Sequence, residues 1–273
     1  MKIAVIIPSY NRKTLLQRAL NSVYAQTRMP NEIIVIDDGS TDGSELMVKT
    51  EFPDVAYHYQ DNSGVSAARN KGIRSSTAEW LAFLDSDDEW LPEKLEQQEN
   101  LLKQSPDQPI CHTEEIWIRK GRRVNPKKKH GKAGGWIFQR CLPLCVMSPS
   151  SIMIHRSVFD ALGCFDESLP ACEDYDLWLR ITARYPVLFI EQPLIVKYGG
   201  HEDQLSAKYW GMDRFRIQSL NKLLNGMQLK EDDRLAAIAM LKRKAEIFSQ
   251  GARKRGKIED AEYYQALMNK NYD

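Results

Sequence analysis

Three carboxylates stand within four residues directly after a short apolar run, at Asp85, Asp87 and Asp88. The run, Trp80 to Leu84, has the length and composition of a buried strand. Like charges this close repel one another, and a divalent cation relieves the repulsion because hard oxygen ligands suit Mg²⁺ or Mn²⁺. An acidic turn that caps the next helix explains the same residues, since Asp and Ser are also favoured in turns and at helix N-caps. The motif alone leaves both interpretations open.

A second acidic group, residues 173–176, opens a segment with helical periodicity. In a helix, the Asp174 carboxylate shares one face with the apolar residues Leu177, Trp178 and Ile181. Asp174 is therefore either a helix cap, stabilised by the helix dipole, or a general base placed in a cleft, with Glu173 as the alternative in either role. The four-residue spacing of Asp176 and Arg180 predicts a solvent-facing ion pair of small energetic value.

Strand and helix signals alternate through the first hundred residues. The pattern predicts strands at 3–7, 32–36, 55–59 and 80–84, and helices at 14–26, 44–52 and 66–75. Continuous apolar strands separated by helices are typical of an α/β fold with a mostly parallel sheet flanked by helices on both faces.

Polar clusters follow all four predicted strands, at residues 8–12, 37–40, 61–64 and 85–88. Ligands of open α/β sheets bind beyond the carboxyl ends of the strands. We therefore expect the four clusters to converge on one rim of the sheet.

The pattern is less regular further along the chain. It predicts strands at 110–118, 150–155, 187–190 and 194–198, a loop at 122–135 and a helix at 173–185. From residue 206 onward the pattern is helical. We therefore predict one α/β domain at 1–205 and a helical C-terminal appendage at 206–273.

The composition is that of an ordinary globular chain, with 273 residues, a net charge of +1 and 42% hydrophobic residues. The near-neutral balance gives no overall attraction to nucleic acid. No apolar run approaches the ~18 residues of a membrane span, and the run from Ile3 to Ile7 is too short for a signal peptide. An odd number of cysteines without metal-finger spacing favours reduced thiols and a cytoplasmic location.

Six segments occur in an order that resembles one enzyme family. They are Pro8–Arg12, Asp37–Asp42, Gly64–Gly72, Phe83–Asp88, Gly163–Glu167 and Glu173–Arg180. Together they resemble the inverting glycosyltransferases of family 2, which have the GT-A fold, over about residues 2–200. The resemblance implies that residues 1–205 are a nucleotide-sugar-binding and catalytic GT-A domain. The helical tail carries none of these motifs.

The resemblance implies a role for each residue of the donor site. Asp37 and Asp38 would bind the nucleotide base, with Asp38 the better candidate for a uracil edge, and the same pocket would be lined by Pro8, Tyr10 and Arg12. Asp85 would contact the ribose, and Asp87 would bind Mn²⁺ or Mg²⁺ on the diphosphate.

The resemblance also assigns residues to the reaction itself. Asp174 would be the general base. Arg69 would shape the nucleotide side of the cleft together with Asn70, or it would brace the fold. His201 is either an additional metal ligand, as in several related transferases, or a surface histidine.

The implied function is metal-assisted, inverting transfer of a sugar from a nucleotide-sugar donor, most simply a UDP-sugar, to a hydroxyl of a glycan, lipid-linked or other acceptor. The 119–149 region is expected to contact the acceptor. The alternatives are a sugar-phosphate nucleotidyltransferase and a non-catalytic UDP-binding module. The basic runs Lys127–Lys129 and Arg253–Arg255 are solvated faces, or they place the chain at the inner face of the membrane by peripheral contact.

Overall fold

The computed structural model describes residues 1–125, 127, 130–200, 209 and 211–272. Within them, one sheet contains the strands β1 (Ile3–Ser9), β2 (Glu32–Asp37), β3 (Ala56–Tyr59), β4 (Trp80–Phe83), β5 (Glu89–Trp90), β6 (Ile110–Arg119), β7 (Arg122–Val124), β8 (Met153–His155) and β9 (Leu188–Gly199). Their order is β3-β2-β1-β4-β8-β6-β9-β5, and β7 pairs with β6. The strands β3, β2, β1 and β4 run parallel, as does the β6–β9 pair.

Helices follow most of the strands along the chain. They are α1 (Lys13–Tyr24), α2 (Ser44–Glu51), α3 (Val65–Ser75), α4 (Lys94–Gln104), α5 (Phe138–Cys141), α6 (Arg156–Leu162), α7 (Glu173–Thr182), α8 (Asp213–Gly226), α9 (Glu231–Lys254) and α10 (Ile258–Asn269). The mostly parallel α/β sheet predicted from the sequence is therefore present.

The sheet separates two hydrophobic cores, because successive side chains of a strand point to opposite faces. In β1, Val5 belongs to the core that contains residues of α1 and α4, whereas Ile6 belongs to the core on the other face, which contains residues of α7 and the C-terminal helices. Leu220 of α8 and Leu241 of α9 belong to this second core. The predicted boundary between residues 205 and 206 remains a prediction.

Three parts of the secondary structure differ from the sequence expectation. The predicted loop at 122–135 begins with β7, which forms a hairpin with β6. The two strands expected at 187–190 and 194–198 are one strand, β9, which shifts register opposite Thr113 to Glu115. The helices α4, α5 and α6 and the short strand β5 were not expected. The irregular register explains the second difference, because a bulge interrupts the apolar alternation that marks a single strand.

Lys94 begins α4 and is completely buried. Its ammonium lies 3.8 Å from the centroid of the Trp90 ring and has no hydrogen-bond partner among the described residues. Burial lowers the pKa of Lys94 well below its ordinary value. A positive charge in the first turn of a helix is unfavourable as well.

We therefore expect Lys94→Met to raise the free energy of unfolding by about 1–2 kcal/mol at pH 7, because an unpaired buried amine is costly. The unfolded chain binds a proton at Lys94 that the folded chain gives up, so the wild-type protein gains stability as the pH rises towards the unfolded pKa. The variant lacks that gain. Urea denaturation of both proteins at pH 7 and pH 9.5 tests this. A less stable variant would mean that the contact with Trp90 outweighs the burial penalty.

Each helix in the described part of the chain is too short or too polar to cross a bilayer.

Candidate active site

A cleft of about 1100 Å³ opens at the carboxyl edge of the parallel strands. All four polar clusters predicted to converge contribute to its lining, through residues 8–12, Asp38, 62–64 and 85–88. Cys145, Glu173, Asp174 and Lys197 line it from later parts of the chain. A volume of this size accommodates a nucleotide with an attached sugar.

Helix α3 lies very close to β1. A Cβ atom added to Gly72 would stand 2.3 Å from Ile6 Cγ2, so only glycine permits this approach. The close packing brings Arg69, one turn earlier on α3, into the cleft, although its side chain is only 4% exposed.

Arg69 connects the two acidic groups that the sequence singled out. Its guanidinium donates to Asp85 Oδ1 at 2.6 Å and to Glu173 Oε1 at 2.7 Å. Burial alone would raise the pKa of Asp85, but the cations around it, Arg69 first and then Lys197 and Arg12, outweigh burial and hold that pKa below its ordinary value. Arg69 therefore braces the acidic loop against α7, and it also lines the cleft.

The acidic loop at 85–88 is neutralised by groups of the chain itself. Arg69 pairs with Asp85, and Arg12 Nη1 lies 2.9 Å from Asp87 Oδ2. Asp88 is buried and accepts hydrogen bonds from the Ser150 hydroxyl at 2.7 Å and from the Tyr198 N–H at 3.2 Å. Burial raises the pKa of Asp88 well above its ordinary value. The repulsion expected from the sequence therefore does not by itself require a metal ion.

Asp38 lies at the base of the cleft with much of its hydrogen-bonding capacity in use. Its carboxylate accepts from the Ser63 and Gly64 N–H groups at 2.8 Å each and from Gln60 Nε2 at 2.7 Å. Of the four lone-pair positions of a carboxylate, one remains for a ligand. Asp38 thus organises the turn before α3 as well as facing the cleft.

Asp37 does not line the cleft. Its carboxylate is buried and accepts from the Ser40 N–H at 2.7 Å and from the Tyr57 hydroxyl. The remaining residues predicted for the donor pocket, Pro8, Tyr10 and Arg12, do line the cleft, and Tyr10 is 49% exposed.

Asp174 lies in the first turn of α7 and lines the same cleft as Asp87. Its carboxylate accepts from the Tyr175 N–H at 2.6 Å and from the Cys145 thiol at 3.2 Å. The neighbouring Glu173 is buried, and burial together with Asp174 raises the pKa of Glu173 against the effect of Arg69.

The ion pair of Asp176 and Arg180 is not solvent-facing, as the spacing had suggested. Asp176 is 2% exposed, with Arg180 Nη2 at 3.0 Å and Lys222 Nζ of α8 at 2.8 Å. The prediction was wrong because helix α8, distant in sequence, packs over this face of α7.

Sequence reasoning passed over Lys197 and Cys145, which both line the cleft. Lys197 follows three buried apolar residues of β9, and a single lysine after such a run is a signal that was available. Cys145 carried no signal, because its importance comes only from its contact with Asp174.

His201 lies outside the described residues. Within the described part of the chain, no group of three or more His, Cys, Asp or Glu side chains is arranged to hold a metal ion. The carboxylate oxygens of the acidic loop nevertheless have the hard-ligand chemistry that Mg²⁺ and Mn²⁺ prefer. A cation bound there needs further ligands from another source, such as phosphate oxygens.

The family model of glycosyl transferase family 2 matches residues 4–163. An uncharacterized glycosyltransferase of Rickettsia conorii is 32% identical over 213 residues, which are 76% of this chain and 35% of the relative. The chain thus spans about a third of the length of that relative.

Two solved structures share the fold. S. aureus TarS 1-349 in complex with UDP-GlcNAc has a TM-score of 0.64 at 17% identity and covers 98% of this chain and 91% of its own. The mannosyltransferase PcManGT from Pyrobaculum calidifontis, in complex with GDP-Man and Mn²⁺, has a TM-score of 0.61 at 19% identity. The match covers 99% of this chain and 86% of the mannosyltransferase. The predicted family and fold are thereby confirmed. The chain has the GT-A fold and belongs to glycosyl transferase family 2.

Proposed function

We propose that the chain transfers a sugar from a nucleoside-diphosphate sugar to an acceptor hydroxyl, with inversion at the anomeric carbon. The observation that carries the proposal is that Asp85, Asp87 and Asp174 line one cleft. Family membership favours glycosyl transfer over the nucleotidyltransferase alternative. The likeness to proteins solved with UDP-GlcNAc and GDP-Man supports a nucleotide-sugar donor.

The donor binds at the carboxyl edge of the parallel strands. Tyr10 is exposed enough to stack on the base, and Pro8 and Arg12 line the same pocket. Asp38 offers its remaining acceptor position to the N–H of a uracil edge, which is the reason for proposing UDP. Asp37 contributes indirectly, by shaping the turn that contains Asp38.

Asp85 would contact the ribose, and Asp87 would hold a divalent cation whose remaining ligands come from the diphosphate. Carboxylate and phosphate oxygens form a suitable ligand set for Mn²⁺ or Mg²⁺, with His201 as a further candidate ligand. When bound, the ion neutralises charge on the diphosphate.

Asp174 acts as the general base. The acceptor oxygen forms a bond to the anomeric carbon, its proton passes to the Asp174 carboxylate, and the bond from the anomeric carbon to the diphosphate oxygen breaks with its electrons remaining on the diphosphate. One displacement from the face opposite the leaving group inverts the configuration, and the paired carboxylates of glycoside hydrolases are not needed. The acceptor is a glycan, a lipid-linked sugar or another hydroxyl compound. Cys145 and Pro149 line the cleft, which supports the proposal that the end of the 119–149 region contacts the acceptor.

The proposed location is the cytoplasm, with the basic runs as a peripheral contact to the inner membrane face. Part of the first run, residues 128 and 129, lies outside the described residues. This location is a prediction from composition.

The test of function is release of the free nucleoside diphosphate from a panel of UDP- and GDP-sugars, with and without Mn²⁺. Turnover that depends on an acceptor supports sugar transfer. Binding of UDP without turnover of any donor, across a panel of glycan and lipid-linked acceptors, would support the binding-module alternative instead.

Replacing Asp87 with Ala is expected to weaken UDP binding at limiting Mn²⁺ by about tenfold or more, because a metal ligand is lost. In EDTA the variant should bind UDP at least as well as the wild type, since a negative charge beside the diphosphate is gone. Calorimetric titration under both conditions measures this, with Asp107→Ala, on an exposed turn, as the control. Unchanged affinity at limiting metal would place the cation elsewhere.

A further inference from the structure

Lys197 lies near the end of β9 and lines the cleft together with the acidic loop at 85–88. Backbone contacts of the residues before and after Lys197 fix its position. Directly before Lys197, β9 pairs with β5, which follows the acidic loop, and directly after it the Tyr198 N–H donates to Asp88 Oδ1 at 3.2 Å. The backbone at Lys197 is therefore held beside the acidic loop.

The carboxylates that surround Lys197 already have other partners. Asp85 pairs with Arg69 at 2.6 Å, Glu115 with Lys132 at 3.3 Å, and Asp88 with the Ser150 hydroxyl at 2.7 Å. Glu115 also accepts from the Ser148 hydroxyl at 2.7 Å and from Trp117 Nε1 at 2.7 Å. Each of these carboxylates therefore has a partner other than Lys197.

The ammonium of Lys197 has three N–H donors. No group within the described ranges forms a hydrogen bond or an ion pair with it. Burial opposes its positive charge, but Glu115, Asp88 and Asp85 outweigh burial and raise the pKa of Lys197. A protonated ammonium with unused donors in the wall of a cleft is suited to an anionic ligand.

We propose that Lys197 binds a phosphoryl oxygen of the donor diphosphate and stabilises the charge that the diphosphate gains when the sugar leaves it. This inference rests on the proposed function, because it takes the cleft to hold a nucleoside diphosphate. A lysine suits the task as a point charge whose donors rotate towards tetrahedral phosphate oxygens. The chain would then supply a fixed cation at the leaving group in addition to any bound metal ion.

The test is calorimetric titration of the full chain with UDP in EDTA, where a metal ion makes no contribution. We expect Lys197→Met to weaken UDP binding by about tenfold or more, because a charge-assisted hydrogen bond is lost. Lys197→Arg, which keeps the charge, should stay within about threefold of the wild type. The matched control, Lys103→Met, removes an exposed lysine of α4 and should bind UDP like the wild type.

Two further probes separate phosphate binding from support of the fold. Inorganic pyrophosphate, which lacks base and ribose, should lose affinity for Lys197→Met as UDP does. Uridine, which lacks phosphate, should bind wild type and variant equally in an NMR titration. Equal UDP affinity of the two proteins, or an equal loss for uridine and UDP, would overturn the proposal.

A failure of the proposed function looks different, because the wild type would then either bind neither UDP, nor GDP, nor pyrophosphate, or bind UDP without turning over any donor sugar. If thermal denaturation shows that Lys197→Met is unfolded, the wild type labelled with ¹⁵N-lysine replaces it. The Lys197 ammonium resonance should then shift on addition of UDP and stay in place on addition of uridine. A resonance that UDP leaves unchanged would rule out the contact.

Discussion

Asp174→Asn is expected to lower kcat for sugar transfer by about a thousandfold, in the range that loss of a general base produces, while UDP affinity changes by less than about threefold. The substitution keeps an oxygen that accepts from the Tyr175 N–H, at 2.6 Å in the wild type, so the first turn of α7 should retain its structure. An amide cannot take the proton of the acceptor hydroxyl. Turnover at saturating donor and acceptor, together with calorimetry of UDP, measures both quantities.

The neighbouring carboxylate supplies the control. Glu173 is buried and bonded to Arg69 at 2.7 Å, so Glu173→Gln should mainly lower stability and leave the proton acceptor in place. Loss of turnover in Glu173→Gln with turnover retained in Asp174→Asn would transfer the role of base to Glu173. An Asp174→Asn variant that loses UDP affinity and keeps its turnover would make Asp174 a helix cap or a donor contact.

Arg69→Met is expected to lower the free energy of unfolding by about 3–5 kcal/mol, because removal of one member of a buried ionic group leaves its partners unpaired. Two carboxylates, Asp85 and Glu173, lose the same partner at once. Urea denaturation at pH 7 measures the loss. Arg74→Met, on the exposed side of the last turn of the same helix, is the matched control and should change stability by less than about 1 kcal/mol.

Two further variants separate charge from geometry. Arg69→Lys keeps the charge but cannot reach both carboxylates with a planar fork, so it should be intermediate in stability. Adding Glu173→Gln to Arg69→Met removes one unpaired charge and should restore part of the lost stability. Equal losses for Arg69→Met and Arg74→Met would mean that Arg69 does not brace the acidic loop against α7.

Prediction from the sequence was most successful for the first half of the fold. Alternating apolar strands and helices determine a mostly parallel sheet, and in such a sheet the polar residues at the carboxyl ends must lie at one edge. This is why the segments at 8–12 and 85–88, which are far apart in the chain, were expected in one cleft and line one cleft. The order of the motifs identified the family for the same reason, since the order reflects the fold.

Prediction was least successful where charges meet across the fold. The spacing of Asp176 and Arg180 is that of an exposed pair, yet Lys222 from the C-terminal helices covers it at 2.8 Å. Likewise, Arg69 and Glu173 are separated by 104 residues, and no local pattern connects them.

The sequence by itself determined the sheet, the edge at which ligands bind and the family, because periodicity and motif order are properties of the chain read along its length. Only the tertiary structure decided which group pairs with each carboxylate and left the Lys197 donors unused beside the acidic loop. Those pairings depend on distances between elements that no sequence spacing encodes, and in a partly buried cleft a change of an ångström or two decides whether two charges are bonded.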